Sequence, residues 1–150
     1  MRVLCCPLEI KRITRRNMQN GTLLAAVDLG SNSFRLEIGR VLDDQIYPLD
    51  TLKESVRLAS GLTPEKMLDA ASQQRALSAL SQFGQRLRGF QPEAVRVVAT
   101  NTLRVAKNAR ALLPAFESAL GFPIEIIGGR EEARLIYIGA AHELPPATYR

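Results

Sequence analysis

The sequence predicts an α/β domain built on a mixed five-stranded sheet, with its elements in the order βββαβαβα. Three observations carry this. Residues 23–56 hold three β-prone runs joined by turn residues; two long segments with apolar residues at helical spacing come next; and each of these is followed by a short apolar run, residues 94–99 and 124–127. Three hairpin-linked strands and two strand-and-helix units give a sheet with both antiparallel and parallel pairs and helices outside it.

Each element has a local reason. Residues 23–28 are apolar and β-prone, and Gly30-Ser31-Asn32-Ser33 supplies turn chemistry before Phe34, Leu36 and Ile38 alternate with polar residues, so a hairpin is expected. Asp43-Asp44 makes a second turn into a third strand over 46–56, where Pro48 marks an edge or a bulge. Thr63 as N-cap and Pro64 at the first helical position start a long helix reaching about Leu87, with Met67, Ala70, Leu77, Leu80, Phe83 and Leu87 facing the core and Gly89 ending it. After the buried strand 94–99, Thr100-Asn101-Thr102 opens another helical segment, expected to bend or split near Pro114 and to stop at Gly121. Residues 124–127 form the fifth strand. Gly128-Gly129 turns into a last helix from about 130 to 143, closed by Pro145-Pro146.

The chain has 150 residues, 46% of them hydrophobic and 23% charged, which suits one domain with a sizeable core and excludes wholesale disorder or a disulfide scaffold. Residues 1–20 read as a basic disordered tail and 21–150 as the domain, with Met18 as the expected physiological start. The net charge of +5 is concentrated in the tail: Arg2, Lys11, Arg12, Arg15 and Arg16 against Glu9 give +4, leaving +1 for residues 18–150. Such a body gives no reason to expect a specific nucleic-acid partner. Cys5 and Cys6 are adjacent, so an ordinary disulfide between them is badly placed, and no further Cys offers metal spacing. The longest apolar runs, such as residues 23–27, fall short of the roughly 18–20 residues a membrane-spanning helix needs. No membrane partner is expected, and the protein is read as cytoplasmic.

Three places can carry chemistry. In Ala26-Val27-Asp28-Leu29-Gly30-Ser31-Asn32-Ser33 an acid ends a strand before a loop of small hydrogen-bonding residues. Glycine permits close backbone approach and positive φ, so N–H groups and Ser and Asn side chains can ring a phosphate oxygen. By itself the loop fits equally a plain hairpin turn that Asp28 braces. In Val98-Ala99-Thr100-Asn101-Thr102-Leu103-Arg104 a buried strand meets a helix start, and Arg104 is a cation where the helix dipole does not favour one, which invites an anionic partner; a surface salt bridge is the plainer account. In the last helix a 100° wheel places Glu132 on the inward arc with Ala133, Ile136 and Gly139, and Glu131 on the opposite side. Glu132 is thereby a candidate base, or else a first-turn acid supporting the dipole, the role left to Glu131. His142 has no second ligand or nucleophile nearby in sequence, and neither a Walker lysine motif nor a Rossmann glycine pattern is present.

Read together, Ala-Val-Asp-Leu-Gly-Ser-Asn-Ser-Phe-Arg-Leu (26–36), Ala-Thr-Asn-Thr-Leu-Arg (99–104) and Ile-Glu-Ile-Ile-Gly-Gly-Arg-Glu-Glu-Ala-Arg-Leu (124–135) closely resemble the exopolyphosphatase and guanosine pentaphosphate phosphohydrolase family, over about residues 23–150. The resemblance implies a ribonuclease-H-like domain of the actin, Hsp70 and sugar-kinase superfamily, whose domains pair around a cleft. It further implies hydrolysis of the terminal phosphoanhydride of inorganic polyphosphate or guanosine pentaphosphate, with Mg2+ as cofactor. Carried over residue by residue, Asp28 belongs to the metal-and-phosphate site, Gly30, Ser31, Asn32 and Ser33 form the first phosphate loop, Arg104 clamps phosphate and Glu132 is the catalytic base. The physics suits these roles, because phosphoryl transfer asks for charge neutralisation and a placed water more than for covalent help.

One departure bears on activity. The family continues into a second glycine-rich loop of the type Asp-x-Gly-Gly-Gly-Ser-Thr-Glu, which these 150 residues do not contain. The chain is therefore expected to be an N-terminal phosphatase domain whose second domain is absent and to turn over little or nothing by itself; the resemblance leaves its oligomeric state open, with a homodimer one option for the full-length form, since full-length relatives commonly dimerise. Two other readings stand beside this: a non-catalytic module binding phosphate-rich ligands or another subunit, and half of a sugar-kinase-like or chaperone-like ATPase.

Overall fold

In the computed structural model of the protein, which describes residues 21–43 and 45–128, the centre of the domain is β1 (Leu23–Leu29). Its run of apolar residues is buried on both faces, as a strand flanked by two others in a layered α/β domain must be. β2 (Ser33–Leu42) and β3 (Gln45–Ser55) follow as antiparallel hairpin partners, and β4 (Val95–Ala99) and β5 (Glu125–Ile126) join on the other side as parallel strands. The resulting order, β3-β2-β1-β4-β5, is the mixed five-stranded sheet expected for a ribonuclease-H-like domain.

The helices are α1 (Ala70–Arg86), α2 (Asn101–Val105) and α3 (Ala109–Leu120). One face of the sheet, with Val27, Leu29, Phe34, Leu36 and Val97, packs against Leu80, Phe83 and Phe116 of the helices. Phe34, Phe83 and Phe116 are fully buried, each contributing about 1.5–3 kcal/mol relative to exposure. The other face carries a second buried cluster of Leu24, Ala26, Val41, Val98 and Ile127, and Asp28 lies on this face by the alternation of β1. Gly84 lets α1 and the end of α3 meet closely, because a Cβ there would stand 2.7 Å from the Ala119 carbonyl oxygen.

The hairpin turns are where the sequence puts them. Leu42 pairs with Gln45, and Asp43 takes φ +49, the left-handed conformation a two-residue hairpin loop demands. The reading of Pro48 holds in both senses: β3 is an edge strand, and its register against β2 slips by one residue beside Pro48. Gly39 pairs with Pro48 but Ile38 pairs with Asp50, so Leu49 is the extra residue of a bulge. Gly39 has no Cβ to collide with the Ile46 side chain, which would stand 2.6 Å from one.

Two helix expectations need correction. α1 begins at Ala70, not Pro64: Asp69 is the N-cap and accepts the Ser72 N–H at 2.8 Å. Thr63 instead closes a local turn, accepting the Met67 N–H at 3.1 Å, with Lys66 at φ +62 and a Leu62–Leu68 bridge holding the segment off the helix. Met67 and Ala70 are accordingly exposed. The second helical segment splits, but around residues 106–108, while exposed Pro114 sits inside α3. Asn108 makes the break by clasping the Leu68 backbone, its Oδ1 accepting from Leu68 N at 3.0 Å and its Nδ2 donating to Leu68 O at 3.1 Å. Gly121 ends α3 at φ +91, as expected.

Among the described residues no helix is long and apolar enough to cross a membrane. The basic tail with Cys5 and Cys6 lies outside the described residues. So do the helix expected from residue 130 and, with it, Glu132 and His142.

Candidate functional site

β1 and β4 are parallel, so both bring their carboxyl ends to the same edge of the sheet, at the point where the chain switches from β2 on one side to β4 on the other. Open α/β sheets place ligand crevices at such a point. Asp28 arrives there 7% exposed. A carboxylate so withdrawn from water is costly unless donors or a cation stand close by.

The loop after β1 is fixed through its carbonyls. Ser33 O accepts Gly30 N at 3.2 Å, Ser31 O accepts Ala59 N at 3.0 Å, and Asn32 O accepts both Val56 N at 3.1 Å and Arg57 N at 2.8 Å. The negative ends of these peptide dipoles are thus engaged by protein donors, and Gly30, Ser31, Asn32 and Ser33 line the adjoining cleft. Gly30 is needed for close approach, since a Cβ would stand 3.0 Å from Ser33 O, and not for the positive φ its glycine character suggested.

The second wall comes from β4 and α2. Thr100 N donates to Leu29 O at 3.4 Å, drawing the two strand ends together. Thr102, buried on α2, donates its hydroxyl to Ser31 Oγ at 2.8 Å and links the two motifs directly. Thr100 makes no side-chain capping bond. Arg104 donates through Nη1 to Ile127 O at 3.1 Å and through Nη2 to Asn101 Oδ1 at 3.4 Å, which sets its guanidinium on the cleft wall while tying α2 to the end of β5.

The cleft is about 690 Å³ and also admits Thr100 and Asn101, from the strand-to-helix motif read in the sequence, and Arg35 and Lys53, to which that reading gave no role. Cross-strand register explains the last two: Asp28 stands opposite Arg35, and Arg35 opposite Lys53. The three charges form a row across β1, β2 and β3 on one face. Arg35 is paired with Glu37 at 2.8 Å, whereas Lys53 makes no ion pair among the described residues. Among the described residues that line the cleft, Asp28 is the only carboxylate, against three cations.

The structure therefore brings Asp28, Gly30, Ser31, Asn32, Ser33 and Arg104 into one cleft, and Glu132 lies outside the described residues. The signal for Arg35 was present in the sequence, because a hairpin centred on 30–33 must set 35 opposite 28. Lys53 could be found only by knowing the bulge.

An acid, a small-residue loop and three cations at the carboxyl edge of a mixed sheet define a class: α/β domains built to handle phosphate. Residues 37–150 match the model of the Ppx/GppA phosphatase family. The chain belongs to that family. Its fold is similar to that of an Aquifex aeolicus member of the Ppx/GppA family, at 26% identity and a TM-score of 0.74, covering 83% of this chain and 41% of that one. It is also similar to an exopolyphosphatase from Cytophaga hutchinsonii, at 25% identity and a TM-score of 0.70 over 75% of this chain and 36% of that one. An exopolyphosphatase-like protein gives 28% and 0.69 over 77% and 35%. The chain thus spans between about a third and two fifths of these relatives.

Proposed function

We propose that this chain is the N-terminal half of a hydrolase that releases terminal orthophosphate from inorganic polyphosphate or guanosine pentaphosphate. The observation that carries the reading is the Thr102–Ser31 hydroxyl bond, which joins the loop after β1 to the wall bearing Arg104 so that both face one cleft. On this reading the N–H and hydroxyl groups of Gly30, Ser31, Asn32 and Ser33 hold the terminal phosphoryl oxygens, and Arg104 neutralises charge that builds on them.

A divalent cation fits the donor set. Asp28 offers a buried carboxylate beside the hydroxyls of Ser31 and Thr100, all hard oxygens, and no cluster of three or more His, Cys, Asp or Glu is present among the described residues. Mg2+ is characteristically held in this way, by one or two carboxylates and the substrate's own phosphates. When bound, the ion supplies charge neutralisation at the bridging and terminal oxygens. Glu132 takes a proton from the water that attacks the terminal phosphorus; the P–O bond to the bridging oxygen breaks, and the shortened chain leaves with the electron pair.

These 150 residues alone are proposed to turn over little substrate, since the second glycine-rich loop is not among them. Cleft closure, and any dimer, would then rest on the C-terminal portion that relatives carry. The test is phosphate release from polyphosphate with Mg2+, by the chain alone and with the C-terminal portion of an exopolyphosphatase supplied in trans. The expected result is turnover only in the second case, abolished by Glu132→Gln. Robust release by the chain alone, or indifference to Glu132→Gln, would overturn the assignment.

A further inference from the structure

The cleft does not end at Lys53. Ser33, which lines it, is the register partner of Ser55, and Ser55 lines a second depression of about 320 Å³ with Arg57, Ser60 and Arg75. Lys53 and Ser55 lie on the same face of β3, two residues apart, so the two hollows are neighbours across one strand pair. Apart from Asp28 at the inner end, no carboxylate lines either hollow among the described residues. Among the described residues no aromatic or aliphatic side chain lines them either, so these walls offer no flat apolar face on which a purine ring would stack.

The second hollow is held in shape. Arg57 adopts φ +54, a left-handed conformation that bulky residues rarely enter. It is fixed there from both sides: its N–H donates to Asn32 O at 2.8 Å, and its carbonyl accepts from Ser60 Oγ at 2.8 Å and from Arg75 Nη2 at 3.3 Å. Arg75 also donates through Nε to Val56 O at 2.8 Å. The loop after β1 and the Arg57 segment are therefore tied together through the carbonyl of Asn32.

Building on the terminal-phosphate reading of the cleft, we infer that the inner phosphates of a linear polyphosphate leave it past Lys53 and over the Ser33–Ser55 pair to Arg57 and Arg75. This track makes the first domain selective for an extended inorganic polyanion over a nucleotide. Lys53 lies two strand spacings, about 10 Å, from the Asp28 column, so a terminal phosphate alone does not need it, whereas a chain must pass it.

The test measures binding of a long linear polyphosphate, and separately of orthophosphate, to the 150-residue chain and to an Arg57→Gln variant at several salt concentrations, Lys53 being left intact because it also lines the cleft. Arg75 is left intact because its guanidinium holds backbone carbonyls, and circular dichroism checks that the variant is folded. The expected result is polyphosphate binding weaker by roughly tenfold or more with a shallower salt dependence, and orthophosphate binding unchanged. Unchanged polyphosphate binding, or equal loss for both ligands, overturns the track. Polyphosphate binding that falls in Arg57→Gln yet is untouched by Arg104→Gln keeps the track and overturns the terminal-phosphate reading of the cleft.

Discussion

Thr102→Val keeps the shape of a buried side chain and deletes the hydroxyl that donates to Ser31 Oγ at 2.8 Å. Thr102 is 4% exposed, so water cannot replace the lost partner on its side, while half-buried Ser31 can turn its hydroxyl outward. The net loss should be that of one hydrogen bond, about 1 kcal/mol, or roughly 4 °C in Tm for a domain of this size. A double-mutant cycle with Ser31→Ala isolates the pair. Denaturant unfolding of the four proteins should give a coupling energy of about 1 kcal/mol, and Thr102→Val should also weaken orthophosphate binding several-fold because the two walls lose their link. A coupling energy within about 0.3 kcal/mol of zero, with phosphate affinity unchanged, would refute the view that this bond assembles the cleft.

Gly84→Ala drives a Cβ against the Ala119 and Leu120 carbonyl oxygens, 2.7 and 2.8 Å away, and should cost about 1–3 kcal/mol in denaturant unfolding while leaving phosphate affinity intact. Deleting Leu49 removes the bulge but keeps the pairs on either side of it, Gly39 with Pro48 and Ile38 with Asp50, so Lys53 still stands opposite Arg35; polyphosphate binding should be unchanged in a titration, and a marked loss would contradict the register. Bonds from Ser72, its side chain first and its backbone N–H next, hold the Asp69 carboxyl below its ordinary 3.8. Its folded value is therefore depressed, so its contribution is complete above 3.8 and is lost as pH falls through the folded value. Thermal melts of wild type against Asp69→Asn should show a constant Tm difference above about pH 5 that shrinks under more acid conditions.

Much of this was legible in the sequence, because it rests on local rules. The loop 30–33 with an apolar strand before it and alternation after it fixes the β1–β2 hairpin, and a hairpin centred there delivers Asp28, and by symmetry Arg35, to one face. Pro48 announced the edge strand and the bulge. What escaped depends on contacts distant in the chain. Thr63 and Pro64 have the chemistry of a helix start, but the Leu62–Leu68 bridge and the grip of Asn108 on Leu68 hold that stretch in a turn until Asp69 can cap. The same grip, forty residues away in sequence, rather than Pro114, splits α2 from α3. Lys53 entered the cleft unannounced because a one-residue slip decides whether it or Leu52 stands opposite Arg35, and Pro48, which marks an edge or a bulge, does not by itself choose between those two pairings.

The central claim is that one phosphate is gripped at once by the loop after β1 and by the start of α2. Titration of orthophosphate into the isotope-labelled chain, followed amide by amide in NMR spectra, tests it most directly. The amides of residues 30–33 and 100–104 should shift together along a single binding curve that Arg104→Gln weakens about tenfold. Shifts confined to one of the two segments, or two curves with different midpoints, would contradict it.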